Sequence, residues 1–220
     1  MLKAENISKT FHSEGVETHA LRDVSLEVKR GDFVSIVGRS GSGKTTLLNI
    51  LSTLLDPDEG SIFYKDIEVT GLPQKELNLL RQKDFGIVFQ FHHLLPYLTA
   101  RENVLLPYMN SLRSVPADVA ARADECLERV GLHGKGNKLP SHLSGGEQQR
   151  VAIARALAKE CAVLFADEPT GNLDKETGGT IIELLSELRY DGLGIVMVTH
   201  DTEYASLADR TIHMADGVIV

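Results

Sequence analysis

Phe33-Val34-Ser35-Ile36-Val37-Gly38-Arg39-Ser40-Gly41-Ser42-Gly43-Lys44-Thr45-Thr46-Leu47-Leu48-Asn49-Ile50-Leu51 is the stretch that decides the fold. Its first five residues form an almost continuous apolar run, the pattern of a strand buried on both faces at the centre of a sheet. Gly38 to Thr45 then read G-x-x-x-x-G-K-[ST], and the run from Thr46 is helix-like. In the order strand, glycine loop, helix, backbone N–H groups collect at a helix N-terminus and can cradle phosphate. Gly38, Gly41 and Gly43 let the chain come that close. Lys44 can reach the β- and γ-phosphates of a nucleotide as a point charge, and the Thr45 hydroxyl can ligate Mg²⁺. The alternative is a merely flexible glycine turn, against which the strand before and the helix after both argue.

Working outward, the rest of the chain repeats this alternation. Ala20 to Lys29 has period-two apolar spacing at Val24, Leu26 and Val28, as in a half-buried strand. After the turn cluster Asp56 to Gly60, Ser61–Tyr64 and Ile67–Val69 read as edge strands of an antiparallel sheet. Phe85–Phe89, Cys161–Ala166 and Gly194–Thr199 read as further buried strands, with a helix over Gly179–Tyr190 between the last two. From about Thr99 to Leu139 the pattern is helical, with Val119, Ala123, Cys126, Leu127 and Val130 on one face, a start at Pro116 and a stop at Gly131. The expected fold is α/β: a mainly parallel sheet covered by helices, an N-terminal antiparallel β lobe, and a helical lobe inserted between two strands.

Composition narrows the function. The 220 residues are 42% apolar and 25% charged, enough for one sizeable core. No run of 18 apolar residues occurs, and the first six residues do not resemble a secretory signal, so the chain is expected neither to span a membrane nor to be exported by that route. A formal charge of −8 argues against a broad nucleic-acid surface, and no nucleic acid is expected as a partner. Cys126 and Cys161 are too few for a disulfide framework or metal site and read as buried apolar residues in a reducing compartment.

Four further places carry chemistry. Asp167-Glu168 closes the apolar strand ending at Ala166, where a parallel sheet presents side chains to a ligand crevice. There Asp167 can hold Mg²⁺ and Glu168 can orient the attacking water, although Asp-Glu-Pro in isolation is an ordinary turn. Ser144-Gly145-Gly146-Glu147 fits a capping box, with Ser144 as N-cap of a helix running on through Gln148 to Lys159. Capping needs no glycines, which lower helix propensity; a helix N-terminus left bare to meet a γ-phosphate presented by another molecule explains them. Gln90 and His200 each end an apolar strand, where a structural role and a place near the γ-phosphate are both open. Phe11, before the loop Ser13-Glu14-Gly15, either stacks on a nucleobase or packs in the core.

Taken together and in this order, these residues resemble the ATPase subunit of an ATP-binding cassette (ABC) transporter over nearly the whole chain. The resemblance implies a P-loop ABC ATPase fold in a single domain, residues 1–220. Its RecA-like core and antiparallel lobe come from residues 1–90 and 160–220, and its helical subdomain from about 91–159. It implies ATP contacts from Phe11 (adenine stacking), Gly38, Arg39, Ser40, Gly41, Ser42, Gly43, Lys44, Thr45 and Thr46 (Walker A), and Ser144, Gly145, Gly146 and Glu147 (signature, Leu143 to Gln148). Mg²⁺ would be held by Thr45, Gln90 (Q-loop) and Asp167. Glu168, His200, Gln90 and Lys44 would be catalytic, and Asn172-Leu173-Asp174 would be the D-loop. Arg39 and Thr45 depart from the usual residues, but Arg39 is at an unconstrained position and Thr45 keeps the hydroxyl.

The family implies a head-to-tail dimer of two copies, each ATP sandwiched between one chain's Walker A and the other's Ser144, Gly145 and Gly146. It also implies a peripheral place on the cytoplasmic face of the membrane against an integral permease subunit gripped near the Q-loop. Phe91 to Pro96 with Leu98 to Val104 is similar to the lipoprotein-releasing and macrolide-efflux branch, whose membrane partner has a large extracytoplasmic domain. The family's pattern implies an end slightly beyond Val220. A regulator of cell division or of a soluble process remains the alternative. An unrelated P-loop kinase or GTPase has no use for Ser144-Gly145-Gly146, and the guanine motif N-K-x-D is missing.

Overall fold

The computed structural model describes residues 1–13, 15–109 and 115–220. Glu14, and the part of the expected helical stretch at 110–114, lie outside the described residues. In chain order the elements are β1 (Leu2–Ser13), β2 (Val16–Val28), β3 (Phe33–Val37), α1 (Lys44–Leu51), β4 (Glu59–Tyr64), β5 (Ile67–Glu68), α2 (Gln74–Lys83) and β6 (Phe85–Phe89). There follow α3 (Ala100–Leu105), α4 (Ala117–Arg129), α5 (Gly145–Leu157), β7 (Val163–Asp167), α6 (Lys175–Tyr190), β8 (Gly194–Val198), α7 (Thr202–Ala205), β9 (Arg210–Ala215) and β10 (Val218–Ile219).

Two sheets form. One is antiparallel in the order β2-β1-β4-β5; the other runs β10-β9-β3-β8-β7-β6, parallel except for the β9–β10 hairpin. The strands of the second sheet feed two cores, because successive side chains point to opposite faces. Val163 and Phe165 join α1 and the antiparallel sheet in one core, while Leu164 and Ala166 join α5 and α6 in the other. Both Phe33–Val37 and Gly194–Val198 are buried at every position, as their continuous apolar runs require.

Several elements were not legible in the pattern. β1 carries Leu2, Ala4 and Ile7 inward but breaks its alternation at a bulge, where Asn6 takes a positive φ of 53° and binds Asp23, itself at 52°, on β2. α2, α7, β9 and β10 were likewise unanticipated, and β2 begins four residues before Ala20. The helix expected from Gly179 begins at Lys175, because the Asp174 carboxylate accepts the Thr177 N–H at 3.0 Å as its N-cap. The helical pattern expected from Thr99 to Leu139 resolves into α3, a 3₁₀ turn at Leu106–Tyr108, and α4. Residues 131–139 are not helical, since Gly131 (φ 77°) ends α4 as expected.

Asn103 fixes the segment between β6 and α3. Fully buried, it accepts the Leu95 N–H at 2.8 Å and donates to the carbonyls of Leu95, Leu98 and Thr99 at 3.1, 2.9 and 3.0 Å. Asn103→Leu takes the side-chain partner from the Leu95 N–H and the Leu98 carbonyl, while the Leu95 and Thr99 carbonyls keep the Leu98 and Asn103 N–H groups, so it is expected to cost roughly 1–3 kcal/mol in denaturant unfolding. A loss below about 0.5 kcal/mol would mean that the loop finds other partners.

Candidate functional site

The sheet order brings β3, β7 and β8 side by side, so the residues just past their C-terminal ends meet. After β3 the loop Gly38–Gly43 turns into α1, whose N-cap Gly43 has the left-handed φ of 98° that glycine tolerates. After β7, Glu168 also sits at a positive φ, 48°, with its N–H on the Val198 carbonyl at 2.9 Å. A carboxylate residue held in this conformation is a local strain of the kind that collects at functional sites. After β8, His200 presents Nδ1 to Glu168 Oε2 at 2.7 Å, with the histidine side chain 71% and the glutamate 19% exposed.

These ends open onto a cleft of about 500 Å³. Ser40, Gly41, Gly43, Lys44, Thr45 and Thr46 line its floor, Glu168 and His200 one wall, and Phe11, Thr18 and Ala20 of the antiparallel sheet the other. Phe11 is 42% exposed and lines the cleft, so it does not pack in the core. Thr18 and Ala20 were missed in the sequence, because nothing local marks a β2 residue as a neighbour of the glycine loop.

Lys44 is buried, and its Nζ donates to the Gly38 and Arg39 carbonyls, each at 2.9 Å, across the mouth of the loop. Thr45 Oγ1 donates to Asp167 Oδ1 at 3.2 Å. Burial pushes the Asp167 carboxyl above its ordinary range, against the lowering effect of the Thr45 hydroxyl bond. Two hard oxygens side by side, one from a carboxylate with no cationic bonding partner among the described residues, suit a divalent cation such as Mg²⁺. Among the described residues no group of three or more His, Cys, Asp and Glu could hold a metal alone, so phosphate and water would complete such a shell.

Gln90 is not brought into the cleft. It follows Phe89, which pairs with Asp167, but its Nε2 donates to Asn172 Oδ1 at 3.3 Å and its carbonyl accepts Asn172 Nδ2 at 3.1 Å. A Cβ on Gly171 would stand 2.7 Å from Gln90 Nε2, so the Asn172 turn and the Gln90 strand end are locked together. The Gln90 amide expected on Mg²⁺ is thus engaged by Asn172.

Ser144, Gly145, Gly146 and Glu147 lie outside the cleft. The capping box forms as expected: Ser144 Oγ accepts the Glu147 N–H at 3.3 Å and Glu147 Oε2 accepts the Ser144 N–H at 2.7 Å. The Glu147 carboxylate, which the family pattern assigns to ATP, turns inward to Lys135 as well, and that lysine with the Ser144 N–H holds it below the usual carboxylate range. Gly146 also has an explanation other than a bare helix end: a Cβ there would stand 2.2 Å from Thr177 Cγ2 on α6. Gly146→Ala is expected to lower stability by roughly 1–3 kcal/mol through overpacking, and the Thr177→Ser partner mutation to restore most of it. Equal melting temperatures for Gly146→Ala and the wild type would remove this steric account.

What the fold and this cleft define is a nucleoside-triphosphate-binding protein of the P-loop class. The chain belongs to the ABC transporter family, whose model matches residues 21–171. It is 48% identical over its whole length to the lipoprotein-releasing system ATP-binding protein LolD of Aquifex aeolicus, covering 96% of that protein. It is 44% identical over its whole length to the macrolide export ATP-binding/permease protein MacB of Campylobacter fetus, of which it spans 34%. A solved dimeric structure of the ATP-binding cassette MJ0796 in a post-hydrolysis state, bound to ADP and Pi, superposes with a TM-score of 0.89 at 43% identity, covering all of this chain and 96% of that one. The chain is an ATP-binding, ATP-hydrolysing component of an ABC transporter, which sets aside the alternative of a cell-division or soluble regulator. No described helix is long and apolar enough to cross a membrane.

Proposed function

We propose that two copies of this chain form the head-to-tail ATPase of a membrane complex that releases lipoproteins or exports a macrolide-like compound. The observation that carries this reading is the position of Ser144, Gly145 and Gly146 at a capped helix start outside their own chain's cleft, with Ser144 and Gly145 exposed, where they would close a second copy's cleft. The LolD and MacB relatives and the dimeric cassette structure support it. In each cleft the 38–46 backbone N–H groups and Lys44 would hold the phosphates, and Phe11 would stack on the adenine. Glu168 would orient and deprotonate the attacking water, with His200 holding its carboxylate in place. Mg²⁺, held by Thr45 and Asp167, would neutralise phosphate charge.

Gln90, held after β6 by Asn172, would be a third Mg²⁺ ligand beside Thr45 and Asp167. Residues from about 91 to 159 would form a helical subdomain of the single 1–220 domain, a division supported by the mutual packing of α3, α4 and α5. Phe91 and Tyr97, 67% and 91% exposed on the segment after Gln90, would meet a permease subunit with a large extracytoplasmic domain, at the cytoplasmic face of the inner membrane. Tagged Glu168→Gln chain should recover such a permease from detergent-solubilised native membranes in the presence of ATP. Recovery of ribosomal or DNA-bound proteins alone would overturn the membrane assignment.

A further inference from the structure

A loop that turns successive N–H groups toward one anion leaves carbonyls facing away, where each needs a donor. Most of these donors in the 38–45 loop are local. Lys44 Nζ serves the Gly38 and Arg39 carbonyls, the Ser42 N–H reaches the Arg39 carbonyl at 3.2 Å, and the Gly43 carbonyl takes the Leu47 N–H at 2.9 Å. The Ser42 carbonyl is different. It takes the N–H of Gly217, near the C-terminus, at 3.2 Å, while the Gly217 carbonyl takes the Arg22 N–H of β2 at 2.9 Å.

The hairpin, through Met214, and β2, through Ala20, fill the space behind the loop. A Cβ on Gly38 would stand 2.2 Å from the Met214 carbonyl oxygen, one on Gly43 2.3 Å from that of Ala20, and one on Gly217 2.9 Å from that of Ala20. Asp216 and Gly217 have φ of 48° and 81°, the consecutive positive values that a two-residue hairpin turn of type I′ demands. Ser42 is 4% exposed, so the back of the loop is closely packed.

We propose that the β9–β10 hairpin is the back wall of the phosphate loop, and that Gly217 is a positioning residue for ATP, holding the Ser42 peptide so that the loop's N–H groups face the phosphates. This rests on reading residues 38–45 as the phosphate site. The hairpin reaches the loop because β9 lies parallel beside β3, with His213 paired to Val37 immediately before Gly38.

Gly217→Ala puts a methyl group against Ala20 and withdraws the N–H from the Ser42 carbonyl. In the full chain the KM for ATP and the Kd for ADP are expected to rise about tenfold, with kcat within about twofold of wild type. Gly71→Ala is the control for backbone strain: its φ is 74° and nothing lies within 4 Å of the added Cβ, so stability should fall with KM unchanged. Lys44→Ala tests the underlying reading. Wild-type ATP binding by Lys44→Ala would overturn the phosphate-site assignment and the hairpin role with it. Loss of binding by Lys44→Ala beside a folded Gly217→Ala of wild-type KM would overturn the hairpin role alone. If Gly217→Ala does not fold, amide exchange in the wild-type chain decides: protection of the Gly217 N–H should rise several-fold with ADP, and equal protection with and without ADP would overturn the proposal.

Discussion

Glu168→Gln should bind ATP as tightly as the wild-type chain, hydrolyse it about 10²- to 10⁴-fold more slowly, and accumulate as an ATP-bound dimer. The substitution preserves shape, and glutamine keeps an oxygen to accept the 2.7 Å contact from His200 Nδ1. It removes the ability to take a proton. Because Glu168 does not touch the 38–45 loop through any hydrogen bond, nothing in the binding floor changes. Phosphate release at saturating ATP measures the chemistry, and light scattering after gel filtration with ATP measures the dimer. Wild-type turnover would remove Glu168 from its assigned role; slow turnover without a dimer would separate the chemistry from the proposed assembly.

The second large effect is expected at Ser144. Ser144→Arg should still bind ATP, since the residue lies outside its own cleft, yet fail to dimerise and lose hydrolysis by a comparable factor. Arginine fills the helix start that a second copy's phosphate would approach. It also removes the capping bonds, worth about 1 kcal/mol, so a loss of fold must be distinguished from a loss of assembly. Ser144→Asp makes that distinction: aspartate caps as well as serine but repels a γ-phosphate, and should abolish the dimer at unchanged stability. If Ser144→Arg and Ser144→Asp both dimerise normally with ATP, Ser144 is a helix cap and nothing more.

The site was legible wherever chemistry follows a strand end. Phe33–Val37, Val163–Ala166 and Ile195–Val198 announce themselves as doubly buried strands, and the polar residues that follow each must leave the core together. Gly43 could likewise be understood locally, from a left-handed turn before a helix. Gly146 could not. Its close approach to Thr177 joins two helices, whereas helix propensity favours only a ligand as the reason for a glycine there. The partner of Gln90 was hidden for a similar reason: a strand-end position specifies its neighbourhood but not that Asn172 would engage its amide.

The sequence by itself determined the class of fold, the phosphate loop, the acidic pair at Asp167-Glu168, His200 at its strand end, and the capping box at Ser144. Each is a short-range pattern in which burial period, turn chemistry and capping act within a few residues. Only the tertiary structure decided that Thr18 and Ala20 wall the cleft, that Glu168 meets His200, that Asn103 ties down the segment after Gln90, and that the Gly217 turn backs the phosphate loop. The order β10-β9-β3-β8-β7-β6 places strands from the two ends of the chain side by side. Side-chain periodicity reports which face of a strand is buried; which strand lies beside it is settled by packing and hydrogen-bond pairing between residues that are far apart in the chain.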